Sequence, residues 1–152
     1  MRVITKAASC LIITTVCAVA LDKQFVDQTM GSAQNIERDA NLVDAAIKSK
    51  KIDVADVRKK IDTMSADVAA LHEVVAEFEA THPQFSSSEA AQWKLVKDKV
   101  QLLEIFHGQK KKLADEDFDQ NRSLIRAHAK GVAERAAKLQ RTLTQLMRSP
   151  VS

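Results

Sequence analysis

Two Glu-x-x-His pairs are the residues of this sequence that are best suited to metal chemistry: Glu79 with His82, and Glu104 with His107. A helical di-iron site uses two such pairs and two further glutamates that face one centre. On consecutive antiparallel helices, His82 would lie at the junction and His107 more than ~20 Å along the second helix, at about 1.5 Å per residue. Since the two pairs cannot share a metal ion, we interpret them as surface histidines and expect no metal or cofactor.

An alternation of oxygen-bearing side chains later in the chain is typical of calcium loops. It consists of Asp115, Asp117, Asp119 and Asn121. A calcium loop also needs glycine at its sixth position and glutamate at its twelfth, where this sequence has Gln120 and Arg126. Acidic residues are favoured in the first turn of a helix by its dipole, so the alternation predicts a helix start.

Nucleophilic catalysis has little support in this sequence. It contains no G-x-S-x-G motif and no glycine-rich phosphate loop. The serines of residues 86–88 lie near His82 in sequence, but a polar turn that caps a helix explains them better than a catalytic triad does. We therefore predict that the protein is not an enzyme.

The first twenty residues have the layout of a secretory signal peptide. Arg2 and Lys6 precede an apolar run over residues 7–16, and Ala18-Val19-Ala20 forms a small-x-small cleavage site before Leu21. A membrane anchor is the alternative, but a spanning helix needs about 20 apolar residues, and this run ends too early. The sequence predicts a signal peptide at 1–20, a secreted domain at 21–152 and no membrane span.

Removing the signal peptide changes what the composition implies. Both cysteines, Cys10 and Cys17, lie within it, so the mature domain is expected to have no disulfide, which is unusual for a small secreted protein. Loss of Arg2 and Lys6 from the 23 basic residues leaves 21 against 20 acidic ones. Nucleic-acid binding requires a strong basic excess, and we do not expect it here.

Four helices are predicted from hydrophobic periodicity, and the second has the clearest pattern. Its apolar positions follow alternating steps of four and three, which keep them on one side of a helix. They are Val57, Ile61, Met64, Val68, Leu71, Val75 and Phe78. Similar stripes run through residues 25–47, 93–106 and 118–146. Four helices with short joints predict an all-α, up-down-up-down four-helix bundle without disulfides; a three-helix bundle, with the fourth helix merged into the third or packed apart, is the alternative.

Capping residues suggest where these helices begin. Asp53 is placed to cap the free amide of Asp56, and Ser86-x-x-Glu89 has the pattern of a capping box. Asp115 is predicted to cap the fourth helix, and Gly108 leaves the end of the third open. The first helix is expected over residues 22–49, the second to end near Thr81, and the fourth near Met147.

One surface feature could serve recognition. In an up-down-up-down bundle the first and third joints meet at one end, and lysines and arginines surround both. They are Lys48, Lys50, Lys51, Arg58, Lys59, Lys60, Lys110, Lys111 and Lys112. Such a cluster can steer an acidic partner, although simple solvation of helix ends is an alternative. The opposite end of the bundle carries Pro83, Phe85 and Trp93. Separately, Asn121-Arg122-Ser123 has the sequence pattern of an N-glycosylation site.

The layout resembles a mosquito salivary family, the anophensin and albicin group. The similarity lies in the signal that ends in Ala18-Val19-Ala20, the small helical chain without cysteine, and stretches such as residues 41–47 and 78–83. The resemblance implies a secreted inhibitor of host plasma defences. It implies either binding and inactivation of the C3 convertase of the alternative complement pathway, or inhibition of kallikrein–kinin contact activation.

Two further functions stay open. Amphipathic helices without disulfides can carry lipid or another small ligand, which predicts a large apolar cavity or an oversized apolar face. A structural or adaptor bundle is the other possibility, and it predicts self-association through the second-helix stripe. For the inhibitor we expect a monomer that acts by binding.

Overall fold

The computed structural model describes residues 21–82, 84–110, 113 and 117–148. Within these ranges the chain forms four helices and no strand. They are α1 (Lys23–Lys48), α2 (Val54–Thr81), α3 (Ser87–Lys110) and α4 (Phe118–Arg148). The all-α prediction is confirmed, and α3 and α4 are separate helices. The predicted signal peptide lies outside the described residues and stays a prediction.

The predicted caps of α2 and α3 are present. Asp53 Oδ1 accepts hydrogen bonds from the amides of Ala55 and Asp56, at 3.0 and 3.2 Å. In the capping box, the Glu89 amide donates to Ser86 Oγ at 3.3 Å, and the Ser86 amide donates to Glu89 Oε2 at 2.8 Å. Hydrogen bonds from Ser86 hold the pKa of the Glu89 carboxyl below its usual value.

The start of α4 differs from the prediction. Asp117 Oδ1 accepts from the amides of Asp119 and Gln120, at 3.1 and 3.3 Å, so Asp117 caps the helix and the prediction of Asp115 was wrong. Asp115 itself lies outside the described residues. The helix begins at Phe118, whose side chain is buried. At the end of α3, Gly108 does not stop the helix, which continues to Lys110.

The apolar stripes form the core. Every member of the predicted α2 stripe is buried, as are the α1 positions at the same spacing. From α3 the core takes Trp93, Val96, Val100 and Leu103, while Phe106 is half-buried. Because the α2 stripe is covered within the chain itself, it offers no surface for self-association, and that argument for a structural adaptor fails.

Contacts between helices show that chain neighbours run antiparallel. Phe25 near the start of α1 stacks on Phe78 near the end of α2, with ring centroids 4.0 Å apart. Phe78 in turn meets Trp93 near the start of α3, at 5.1 Å. The end of α1 meets the start of α4, where Arg122 donates to the Ile47 carbonyl at 2.8 Å. These are the contacts expected of an up-down-up-down bundle.

The α3–α4 contact includes one close approach. A Cβ at Gly131 would overlap the Phe106 ring, so the missing side chain lets that ring lie directly against the α4 backbone. The guanidinium carbon of Arg135 then lies 3.7 Å from the Phe106 ring centroid, in a cation–π arrangement. Arg135 also donates to the Gly131 carbonyl at 2.9 Å.

Aromatic rings close one end of the molecule, which we call the aromatic end. It consists of Phe25, Phe78, His82, Phe85 and Trp93. Trp93 is buried and Phe85 is half-buried, so these rings complete the core more than they offer a contact surface. Pro83 lies outside the described residues. In the described part of the chain, no helix is both long and apolar enough to cross a bilayer.

Candidate functional site

The predicted lysines and arginines of the first joint lie together at the end opposite the aromatic rings. We call this surface the basic end. It comprises Lys48, Lys50, Lys51, Arg58, Lys59 and Lys60, and all but the half-buried Lys60 are exposed. They come together because α1 stops at Lys48 and α2 starts at Val54, so a short joint presents both helix ends to solvent.

The contribution of the third joint stays a prediction. Lys110 is the last residue of α3, but the structure does not describe its side chain, and Lys111 and Lys112 lie outside the described residues. The backbone of α3 nevertheless ends at the same end of the molecule, since Phe106 and His107 contact the first half of α4.

Helix α4 adds two arginines that the sequence prediction missed. Arg122 and Arg126 border a cleft of about 550 Å³ between the end of α1 and the start of α4. The cleft is lined by Ile47, Lys48, Asp119, Arg122, Ser123 and Arg126. Three cations and one carboxylate therefore surround a recess next to the predicted lysines, and such a recess can accept an acidic group.

Asp44 forms ion pairs with two of the cations that line this cleft, Lys48 and Arg126. Arg126 Nε lies 2.7 Å from Asp44 Oδ1, and Lys48 pairs with the other carboxylate oxygen. Burial of Asp44 raises its pKa, but hydrogen bonds and positive charge from Lys48 and Arg126 outweigh this and hold the pKa below its usual value. Part of the charge of the cleft is thus neutralised, while the ion pairs hold the cationic side chains in place.

A second recess lies on the same end between α1 and α2. It has a volume of about 230 Å³, and its lining comprises Asp39, Leu42, Asp56, Lys59, Lys60 and Thr63. Lys60 Nζ pairs with Asp56 Oδ1 at 2.5 Å. Lys50, Lys51 and Lys59 are exposed and form no ion pair with a described residue, so their ammonium groups are available to a partner.

The first Glu-x-x-His pair does not act as a unit. Glu79 pairs with Lys97 at 2.5 Å, and the exposed His82 ring stacks on Phe78 with centroids 4.2 Å apart. The second pair is also split, because Glu104 Oε1 lies 3.0 Å from Nδ1 of His72. Among the described residues, no three His, Cys, Asp or Glu side chains are arranged to hold a metal ion.

His107 is not a surface histidine, so that part of the prediction was wrong. Its side chain is only 5% exposed, and its Nε2 lies 3.0 Å from Ser65 Oγ on α2. The ring stacks on His128 of α4, with centroids 5.3 Å apart. His128, which is 3% exposed, escaped the sequence prediction although it occupies a core position between Ile125 and Val132.

The other candidate motifs have structural explanations. Asp117, from the calcium-like alternation, caps α4, and Ser86 caps α3 instead of meeting His82. The His82 ring bonds to Thr81 Oγ1 and the Phe78 carbonyl, at 3.0 and 3.1 Å. Asn121 lies in the first turn of α4 and is half-buried, and its glycosylation stays a prediction.

Helix α3 presents a separate apolar surface to solvent. Leu95, Leu102 and Ile105 are 42%, 55% and 58% exposed, and their spacing places them on the side of α3 opposite its buried stripe. We call these three residues the outer stripe. Exposed apolar side chains in a row can contact another protein, so the outer stripe is the natural rival of the basic end as a binding surface.

Comparison with known proteins adds no relative. No protein-family model, curated protein or solved structure matches this chain. The resemblance to the salivary group therefore depends on the sequence features alone, and the assignment of a function depends on the surfaces described above.

Proposed function

We propose that this protein is a secreted inhibitor that binds and inactivates the C3 convertase of the host alternative complement pathway. The proposal combines the resemblance to salivary inhibitors with one structural observation. That observation is the basic end, where Lys50, Lys51 and Lys59 are exposed and where Arg122 and Arg126 border a cleft at the same end of the molecule.

A binding role fits this surface because charge complementarity speeds association and selects the partner. Lysines held near the mouth of a recess can meet carboxylates on the rim of a protein interface, while the recess itself accepts one acidic side chain. The mixed charge of the cleft favours a shaped protein surface over a simple polyanion, since Asp44 and Asp119 would repel a ligand of uniform negative charge.

The described clefts favour a binding protein over a lipid carrier. A carrier encloses most of its ligand in a mainly apolar cavity. Both recesses described above have charged residues in their lining, and the α2 stripe is fully occupied by core contacts.

The test is lysis of erythrocytes through the alternative pathway, with protein recovered from the medium of a secreting eukaryotic host. We expect wild type to reduce lysis at micromolar concentration. A charge-reversed variant with Lys50→Glu, Lys51→Glu and Lys59→Glu should inhibit at least about tenfold more weakly, since like charges then face the acidic partner. Unchanged lysis with wild type would remove the complement function.

Matched controls decide between the two surfaces. Lys94→Glu reverses an exposed charge on α3, away from the basic end, and should inhibit as wild type does. Leu102→Gln with Ile105→Gln makes the outer stripe polar, and full inhibition by this variant is expected. If the outer-stripe variant fails while the charge-reversed one inhibits normally, the basic end is not the contact surface. Inhibition of contact activation without any effect on lysis would favour the kallikrein–kinin alternative.

A further inference from the structure

Asp39 of α1 lines a recess together with Thr63 of α2, and Asp67, one turn beyond Thr63, lies within hydrogen-bonding reach of the Asp39 carboxyl group. Asp39 of α1 is 4% exposed, and Asp67 of α2 is half-buried. The Oδ2 atoms of both residues are buried and receive no hydrogen bond from a described donor. A buried carboxylate without a donor is costly, and two in contact add mutual repulsion.

One cation partly balances this pair. Arg38 Nε lies 2.7 Å from Asp39 Oδ1, but it does not reach the facing Oδ2 atoms, and its side chain is 61% exposed. On α2, the groups that share a recess with Asp39 are Asp56, Lys59 and Lys60. Lys60 is engaged by Asp56 at 2.5 Å, so the pair has no second close counter-ion among these groups.

Charged groups on the other neighbouring helices are engaged elsewhere. Helix α4 packs on α1, and there Arg126 pairs with Asp44 while the Gln140 amide donates to Glu37 at 2.6 Å. Helix α3 packs on α2, and there Lys97 pairs with Glu79 and Glu104 with His72. Their contacts are with other residues than Asp39 and Asp67.

A single shared proton would satisfy the pair. The protonated carboxyl then donates to its neighbour, which converts two facing acceptors into one O–H···O hydrogen bond. Burial, a hydrogen bond with Asp39 and the Asp39 charge all raise the pKa of Asp67, and Arg38 opposes this only in part.

We propose that Asp39 and Asp67 form a proton-operated latch between α1 and α2, which is closed while one proton is shared and loosened once that proton leaves. A group with a raised folded-state pKa contributes stability that is fully present below its unfolded value. That contribution starts to be lost as pH rises above 3.8, the usual value for aspartate, and is gone above the raised folded-state pKa of Asp67. The seam between α1 and α2 is therefore tightest in mild acid and weakest at neutral pH.

The test compares wild type with Asp67→Asn by urea unfolding, followed by circular dichroism, from pH 4 to pH 8. The asparagine amide can donate to Asp39 at every pH, so the latch is permanently closed. The unfolding equilibrium constant of wild type, divided by that of the variant, should be at least about threefold larger at pH 7 than at pH 4. Asp39→Asn removes the other carboxyl group of the pair. The stability of this variant should therefore vary less with pH than that of wild type.

Asp62→Asn is the matched control, because Asp62 is an exposed acid on the same helix. The unfolding equilibrium constant of wild type, divided by that of Asp62→Asn, should stay constant over this pH range. At pH 7, amide hydrogens over residues 36–42 and 64–70 should exchange more slowly in Asp67→Asn than in wild type, and equally at pH 4. A wild-type to Asp67→Asn ratio that does not change with pH, or an equal change in Asp62→Asn, would overturn the latch.

Discussion

The aromatic end consists mainly of buried rings, whereas the basic end consists mainly of exposed charged side chains. At the aromatic end, Phe25, Phe78 and Trp93 are 3%, 6% and 6% exposed, and their rings contact one another. At the basic end, helix caps and ion pairs hold side chains that remain largely in water. The difference separates the end whose buried rings stabilise the bundle from the end whose exposed charges carry the proposed recognition.

The physical reason is that the two kinds of contact contribute different free energies to folding. Burying a phenylalanine side chain contributes roughly 1.5–3 kcal/mol, and ring pairs add about 0.5–1.5 kcal/mol. An exposed ion pair contributes about 0–1 kcal/mol. Charge changes at the basic end should therefore alter binding at little cost in folding, whereas changes at the aromatic end should alter folding first.

The largest effect is expected from Phe78→Ala. The ring contacts Phe25, His82, Phe85 and Trp93, so its removal should leave a cavity and lower the free energy of unfolding by about 3–5 kcal/mol. Urea unfolding followed by circular dichroism measures this. Phe85→Ala, at a half-buried ring, should cost clearly less, and an equal loss would show that burial does not set the difference.

A smaller effect is expected from Arg126→Gln. The substitution removes one of two cations that lower the pKa of Asp44, and at pH 7 it should cost about 1 kcal/mol or less. Because a lowered pKa contributes stability that is present above pH 3.8 and lost as pH falls through the folded-state value, the loss should shrink toward pH 2. Thermal unfolding of both proteins at pH 7 and pH 2 measures it, and a loss that does not vary with pH would contradict the ion-pair explanation.

The smallest effect is expected from Lys51→Gln. Lys51 is exposed in the joint between α1 and α2 and pairs with no described residue, so its free energy of unfolding should stay within about 0.5 kcal/mol of wild type. A loss comparable to that of Phe78→Ala would erase the division between the two ends. The same urea titration provides the measurement.

Much of the fold was predictable because it depends on local pattern. The α2 stripe and the Ser86–Glu89 capping box need only spacing along one helix, and both are present. The cap of α4 was predicted two residues too early, at Asp115 instead of Asp117, because a run of acids offers several equivalent candidates. The hydrogen bonds from the amides of Asp119 and Gln120 identify Asp117 as the cap.

The candidate site was less predictable because it depends on which helices become neighbours. His107 and His128 continue the core spacing of their helices, so the sequence did carry a signal for their burial. The contact between Asp39 and Asp67, and the arrival of Arg126 beside Asp44, depend on the pairing of α1 with α2 and α4. No spacing within one helix encodes that pairing.

Trp93 is an intrinsic fluorescent probe that reports on one region of the molecule. It is the only tryptophan, the chain has no tyrosine, and its ring contacts Phe25, Phe78 and Phe85. Intrinsic fluorescence emission therefore follows the environment of the aromatic end alone. A partner that binds the lysines of the basic end, at the opposite end of the bundle, should leave the Trp93 emission almost unchanged. Binding must therefore be followed with an extrinsic dye.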